Sequence, residues 1–105
     1  MVAPEAIQRA AQRLLAEAGP GCRVYLFGSH ARGEAGPHSD VDFLVVEPKV
    51  ERRHAEMVRL RRALRGFETP VDVIVYSDEQ VDRFARSWGH VVRHALEEGR
   101  LVASS

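Results

Sequence analysis

Val24-Tyr25-Leu26-Phe27-Gly28-Ser29-His30-Ala31-Arg32-Gly33, followed by Ser39-Asp40-Val41-Asp42-Phe43-Leu44-Val45-Val46, decides how the rest of the chain is read. The apolar run ending at Phe27 breaks at Gly-Ser, the pattern of a strand entering a turn and then a helix. An Asp-x-Asp pair then opens a second apolar run. Side chains alternate along a strand, so Asp40 and Asp42 point the same way. Two carboxylates on one face repel each other unless positive charge sits between them. A divalent cation bound to phosphates meets that need, because hard cations take oxygen ligands and keep a substrate's phosphates in their shell. Gly28 permits close backbone approach to a phosphate. Ser29 adds a hydroxyl at a helix N-terminus, where unpaired N–H groups attract anions. The stretch reads as a nucleotide site.

Outward from it, residues 4–18 place Ile7, Ala10, Ala11, Leu14, Leu15 and Ala18 at helical spacing, with Pro4 in the first turn and Gly19-Pro20-Gly21 as the stop. The first strand is expected at 22–27 and a short helix at 29–33. A loop follows over 33–39 through Gly36-Pro37, and the second strand covers 40–47. Residues 49–65 read as a long helix with Val50, Met57, Leu60, Ala63 and Leu64 on one side, closed by Gly66. A third strand runs from Val71 to Tyr76. Ser77 or Asp78 then caps a helix over 79–86. A last helix over 89–98 ends at Gly99, and 100–103 is a tail or an edge strand. Strands separated by helices or long loops indicate an α/β (α+β) sandwich.

The positions of the polar residues constrain the sheet further. Gly28-Ser29 closes the first strand and Asp40/Asp42 opens the second, so one shared site requires these strands to be antiparallel. Asp72 lies near the start of the third strand, which makes the second and third strands parallel neighbours joined by a right-handed helical crossover. The expected sheet is mixed, with Asp72 beside the Asp40/Asp42 pair.

A chain of 105 residues suits one domain over 1–105 with a single core. Formal net charge is zero, so the overall balance gives no reason to expect direct nucleic-acid binding or a membrane partner. Basic charge is almost all arginine, Lys49 being the one lysine. Cys22, the one cysteine, heads an apolar strand and suits a buried small side chain in a reduced compartment. No signal peptide or spanning segment is read, and a cytoplasmic location is expected.

Gly28-Ser29, ten intervening residues, Asp40-x-Asp42 and the later Asp72 resemble the nucleotidyltransferase superfamily of DNA polymerase beta. The text GSHARGEAGPHSDVDFLVV is similar to its minimal nucleotidyltransferases, small proteins often paired with HEPN-domain partners as antitoxins. The likeness spans nearly the whole chain. It implies a nucleotidyltransferase fold with a small mixed sheet of three to four strands packed with helices. It also implies ATP as substrate, its β/γ-phosphates held by Gly28 and Ser29 with Arg32 as a further phosphate or turn residue. Two Mg2+ ions, about 3.5–4 Å apart in two-metal sites generally, would lie on Asp40, Asp42 and Asp72, with Asp72 also helping to deprotonate the attacking hydroxyl. The implied reaction is in-line transfer of AMP, with pyrophosphate released, to a tyrosine of a HEPN toxin encoded nearby. A homo- or hetero-oligomer is compatible with this. Two alternatives fit the same motif: transfer to a small molecule such as an aminoglycoside, and a non-catalytic antitoxin that neutralises its partner by binding.

Other residues have plainer readings. His90 and His94 are four apart on a helix, but the Glu of a His-Glu-x-x-His motif is missing, so a metal pair is disfavoured. His30, His38 and His54 read as exposed polar residues. Seven basic residues between Lys49 and Arg65 face only Glu51 and Glu56, which suggests a solvated face, with an acidic partner or RNA as the alternative. Trp88 and Phe84 read as core packing rather than as a nucleobase platform.

Overall fold

The computed structural model describes residues 3–36, 39–67 and 69–105. Its elements in chain order are α1 (Pro4–Ala18), β1 (Arg23–Phe27), α2 (Ser29–Arg32), β2 (Val41–Glu47), α3 (Arg53–Ala63), β3 (Val71–Ser77), α4 (Asp78–Phe84), α5 (Val91–Glu98) and β4 (Arg100–Ser104). The strands form one sheet in the order β3-β2-β1-β4. β1 is antiparallel to both β2 and β4, whereas β2 and β3 are parallel. The mixed sheet expected from the polar positions is therefore present, and the tail is an edge strand.

Alternation along the strands sorts the core into two layers. Val24, Leu26, Val41, Phe43, Val45, Val73 and Val75 face α1 and α3, where Ile7, Ala11, Leu14, Leu60 and Leu64 close over them. Phe27, Leu44, Val46 and Tyr76 face the other way, under Val81, Val92 and Ala95 of α4 and α5. β2 is buried on both faces, which is why its sequence is a near-continuous apolar run once Asp42 is passed. Each fully buried Val, Leu or Phe contributes about 1.5–3 kcal/mol, so these central strands dominate the stability of the domain.

Three helices differ from the sequence expectation, α4 by stopping at Phe84 rather than at 86. α3 begins at Arg53 rather than at 49, because after Pro48 the chain must reverse direction and Val50 packs against the core from that connection. α3 ends at Ala63, its last turn tightened by Leu64 N–H donating to Arg61 O. α5 starts at Val91 because His90 caps it, Nδ1 accepting from Val92 N–H at 3.1 Å. Ser77 is the cap of α4, in a reciprocal capping box with Gln80.

Glu47 ends β2 with only 5% of its surface exposed, and its Oε2 has no hydrogen-bond partner among the described residues. Burial is the main cause that raises its carboxyl to about 8, aided by a hydrogen bond to Glu56. Glu56 is held low by Arg59, which grips it at 2.8 and 2.7 Å, and by Glu47. Arg59 also reaches the Glu17 carbonyl at 2.9 Å, so the chain of contacts fastens α3 to the end of α1.

A carboxyl raised on folding stabilises the native state fully below its unfolded value, and that contribution is lost as pH rises toward its folded value. Denaturant unfolding of the native sequence should therefore lose stability between pH 4.5 and about 8 through Glu47. Glu47→Gln should flatten the profile across that window. An unchanged slope would show that Glu47 is ionised throughout.

Candidate active site

β1 ends at Phe27, which pairs with Asp42. Gly28 follows with φ +75°, and a Cβ built there would collide with Asp42 Oδ2. The left-handed backbone favours glycine there, and any side chain would also have to displace the Asp42 carboxylate. Ser29 opens α2, whose first turn closes through Ala31 and Arg32 N–H groups donating to Gly28 O at 3.1 Å each. The loop back to β2 is braced in two places. Ser39 Oγ accepts from Gly36 N–H at 2.9 Å, and the His30 ring lies 3.3 Å from Ser39 O. His30 is accordingly a half-buried brace, not the exposed side chain the sequence suggested. Pro37 and His38 of this loop lie outside the described residues.

Asp42 and Asp72 occupy the same register position on the parallel neighbours β2 and β3. They share a sheet face, and Asp40, just ahead of β2, lies close enough to repel Asp42. Asp42 is half-buried, while Asp40 and Asp72 are exposed. Burial pushes the Asp42 carboxyl up, and repulsion from Asp72 and then Asp40 pushes it further; His30 and Arg32 pull it down. The structure therefore brings Gly28, Ser29, Asp40, Asp42 and Asp72 to one rim.

Not every side chain there is turned inward. Asp72 Oδ1 accepts from Arg61 Nη2 at 3.2 Å. Among the described residues no three His, Cys, Asp or Glu side chains converge tightly enough to hold a metal ion. The donor set still fits a hard divalent cation, being all carboxylate on one face, with an electrostatic strain on Asp42 that positive charge would relieve. Arg32 lies beside the corner with its guanidinium on Glu98 at 2.9 Å and Glu34 at 3.3 Å. Glu98 also takes His94, at 3.2 Å.

Arg61 and Glu98 were missed in the sequence. Arg61 looked like one more solvated arginine, but a crossover helix ends where the next strand begins, and that signal places its last turn beside Asp72. Glu98 looked like a helix end. Gly99, the next residue, admits no Cβ because one would strike the Leu26 and Ala95 carbonyl oxygens, so α5 closes directly onto the end of β1.

Other readings of the sequence are corrected or settled. Trp88 is 88% exposed, not core. The space beneath its loop is already filled by Phe84 stacked on His90 at 4.1 Å, with Tyr76 at their edges, and Trp88 instead carries Arg93 over its ring at 4.0 Å. His90 is a cap and stacking partner rather than half of a metal pair. The basic helix is not simply solvated: Arg53 donates to Val75 O at 2.7 Å, and Arg59 and Arg61 hold carboxylates. No described helix is long and apolar enough to cross a membrane.

A family model described as a nucleotidyltransferase domain matches residues 7–102. No curated protein matches the chain. Among solved structures, a protein from Sulfolobus solfataricus assigned as a nucleotidyltransferase is similar over 92% of this chain and 76% of its own, with 27% identity and a TM-score of 0.62. A chain from a toxin–antitoxin crystal structure with AMP-PNP is similar over 93% of this chain and 73% of its own, at 22% identity and a TM-score of 0.61. A chain from the complex of tri-AMPylated Shewanella oneidensis HEPN toxin with MNT antitoxin is similar over 96% of this chain and 72% of its own, at 17% identity and a TM-score of 0.62. The last two likenesses are of fold.

Asp42→Asn should raise the melting temperature of the metal-free protein at pH 7, since it removes a desolvated charge that two carboxylates repel. Gly28→Ala should lower it by roughly 4–8 °C for each kcal/mol of strain introduced in a domain of this size. Scanning calorimetry checks both, and a neutral Gly28→Ala would show that the corner relaxes freely.

Proposed function

The chain belongs to the nucleotidyltransferase domain family and is a nucleotidyltransferase; from that premise we propose that it transfers AMP from ATP to a hydroxyl acceptor, a tyrosine of a partner HEPN toxin. The observation that carries this reading is the in-register pairing of Asp42 with Asp72 beside a corner whose left-handed backbone favours glycine. HEPN toxin accompanies one similar structure and is AMPylated in it, which supports the choice of acceptor.

In this reading Gly28 leaves room for the triphosphate, and the leading N–H groups of α2, which lack intrahelical acceptors, face its β/γ-oxygens with the Ser29 hydroxyl. Arg32 exchanges one of its carboxylates for phosphate. Asp40, Asp42 and Asp72 would hold two Mg2+ ions, which when bound supply Lewis-acid stabilisation of charge growing on the phosphate oxygens. Asp72 accepts the proton of the attacking hydroxyl. The acceptor oxygen then forms its bond to the α-phosphorus as the bond to the β-phosphate oxygen breaks, and pyrophosphate leaves with that electron pair. Holding acceptor and phosphate in line is the larger share of the task, because positioning alone lowers such barriers by about 7–11 kcal/mol in favourable cases.

Incubation with α-labelled ATP, Mg2+ and the HEPN-type protein encoded nearby should label that partner, with the mass of whole AMP units on a tyrosine. Asp40→Ala combined with Asp42→Ala should reduce labelling at least a hundredfold. Label on an added aminoglycoside and on no protein would replace the acceptor. Neutralisation of the partner that survives loss of all three aspartates would replace catalysis with binding.

A further inference from the structure

We propose that Arg61 is a positioning residue for Asp72, neutralising this third carboxylate in the cation-free protein and competing with a divalent cation for it. The inference rests on the metal reading above and extends it to a residue outside the acidic motif. Topology supplies the juxtaposition. β2 carries the chain away from the acidic rim, α3 carries it back, and the last turn of α3 lies over the first residues of β3. Arg61 stands in that turn and Asp72 is the second residue of β3.

The contact is Arg61 Nη2 on Asp72 Oδ1 at 3.2 Å, with the two side chains 52% and 55% exposed. An exposed pair of this kind is weak and screened by salt, so it can hold a carboxylate without locking it. Arg61 is also stable where it is without Asp72, since the C-terminal turn of a helix favours cations. Its neighbours on α3 are differently occupied, Arg53 with the Val75 carbonyl and Arg59 with Glu56 and Glu17. With Asp72 turned toward Arg61, the carboxylates do not converge although their strands align. A cation gathered on these carboxylates would share Asp72 with the guanidinium that now holds Oδ1.

The test is Mn2+ binding to the full chain without nucleotide, by titration calorimetry and by electron paramagnetic resonance of free Mn2+ at low salt and pH 7. Arg61→Ala and Arg61→Gln should bind Mn2+ about three- to tenfold more tightly than the native protein, a range expected for removing one nearby positive charge in solvent. Arg61→Lys should stay close to native, and added salt should narrow the differences. In turnover assays the alanine variant should need less Mg2+ for half-saturation, with KM for ATP unchanged. Equal or weaker Mn2+ binding in both neutral variants would overturn the proposal. So would a large rise in KM for ATP at unchanged Mn2+ affinity, which would make Arg61 a phosphate contact. Absence of Mn2+ binding by the native protein and by both neutral variants would instead remove the metal reading, and this inference with it.

Discussion

Like charges at one register position of adjacent strands are the constraint around which this rim of the molecule is built. Parallel neighbours lie about 4.8 Å apart, so the backbones of Asp42 and Asp72 cannot separate without breaking the ladder, and only the side chains can turn from one another, as Asp72 does toward Arg61. Their repulsion is borne by the strands that carry them. β2 is buried on both faces and β3 on much of its length, so burial of Val41, Phe43, Val45, Val73 and Val75 holds in place a pair that would otherwise separate. A site destabilised on its own is tolerated because the apolar surface next to it more than offsets the cost.

The same rim is closed from the other side by the last helix. α5 meets the end of β1 at Gly99, where backbone approaches backbone too closely for any side chain. One residue earlier, Glu98 reaches across to Arg32 on α2 and shares its carboxylate with His94. Strand end, glycine corner, short helix and closing helix therefore form one connected unit. The charged residues near the corner thereby gain defined partners in place of solvent.

Arginine usage fits this pattern. A helix with many basic residues and few acids looks solvated when its own length is the whole view. In three dimensions Arg53, Arg59 and Arg61 leave it in different directions, to a strand carbonyl, to a glutamate pair and to the acidic rim. The planar, many-donor guanidinium suits such assignments, which a point-charge ammonium meets less well. The Glu47–Glu56–Arg59 contacts tie the end of β2 to α3, and Arg61–Asp72 links the last turn of α3 to the start of β3.

Much of this was legible along the chain. Apolar periodicity located all the main helices and strands, and the placement of Gly28, Asp40, Asp42 and Asp72 at strand ends implied the mixed order of the sheet before any coordinate. Those features are local, or follow from asking which strand ends must meet. Trp88, His30, Arg61 and Glu98 were misread or passed over because their surroundings come from residues distant in sequence. An aromatic residue is buried only if the space beneath it is free, and a charge is solvated only if no opposite charge is folded against it. The sequence by itself determined the main elements, the directions of the first three strands and the acidic rim, since periodicity and strand direction are carried by neighbouring residues. Tertiary structure alone decided which arginine faces which carboxylate and which aromatic is left in water, because those outcomes depend on packing between segments that the chain brings together only when it folds.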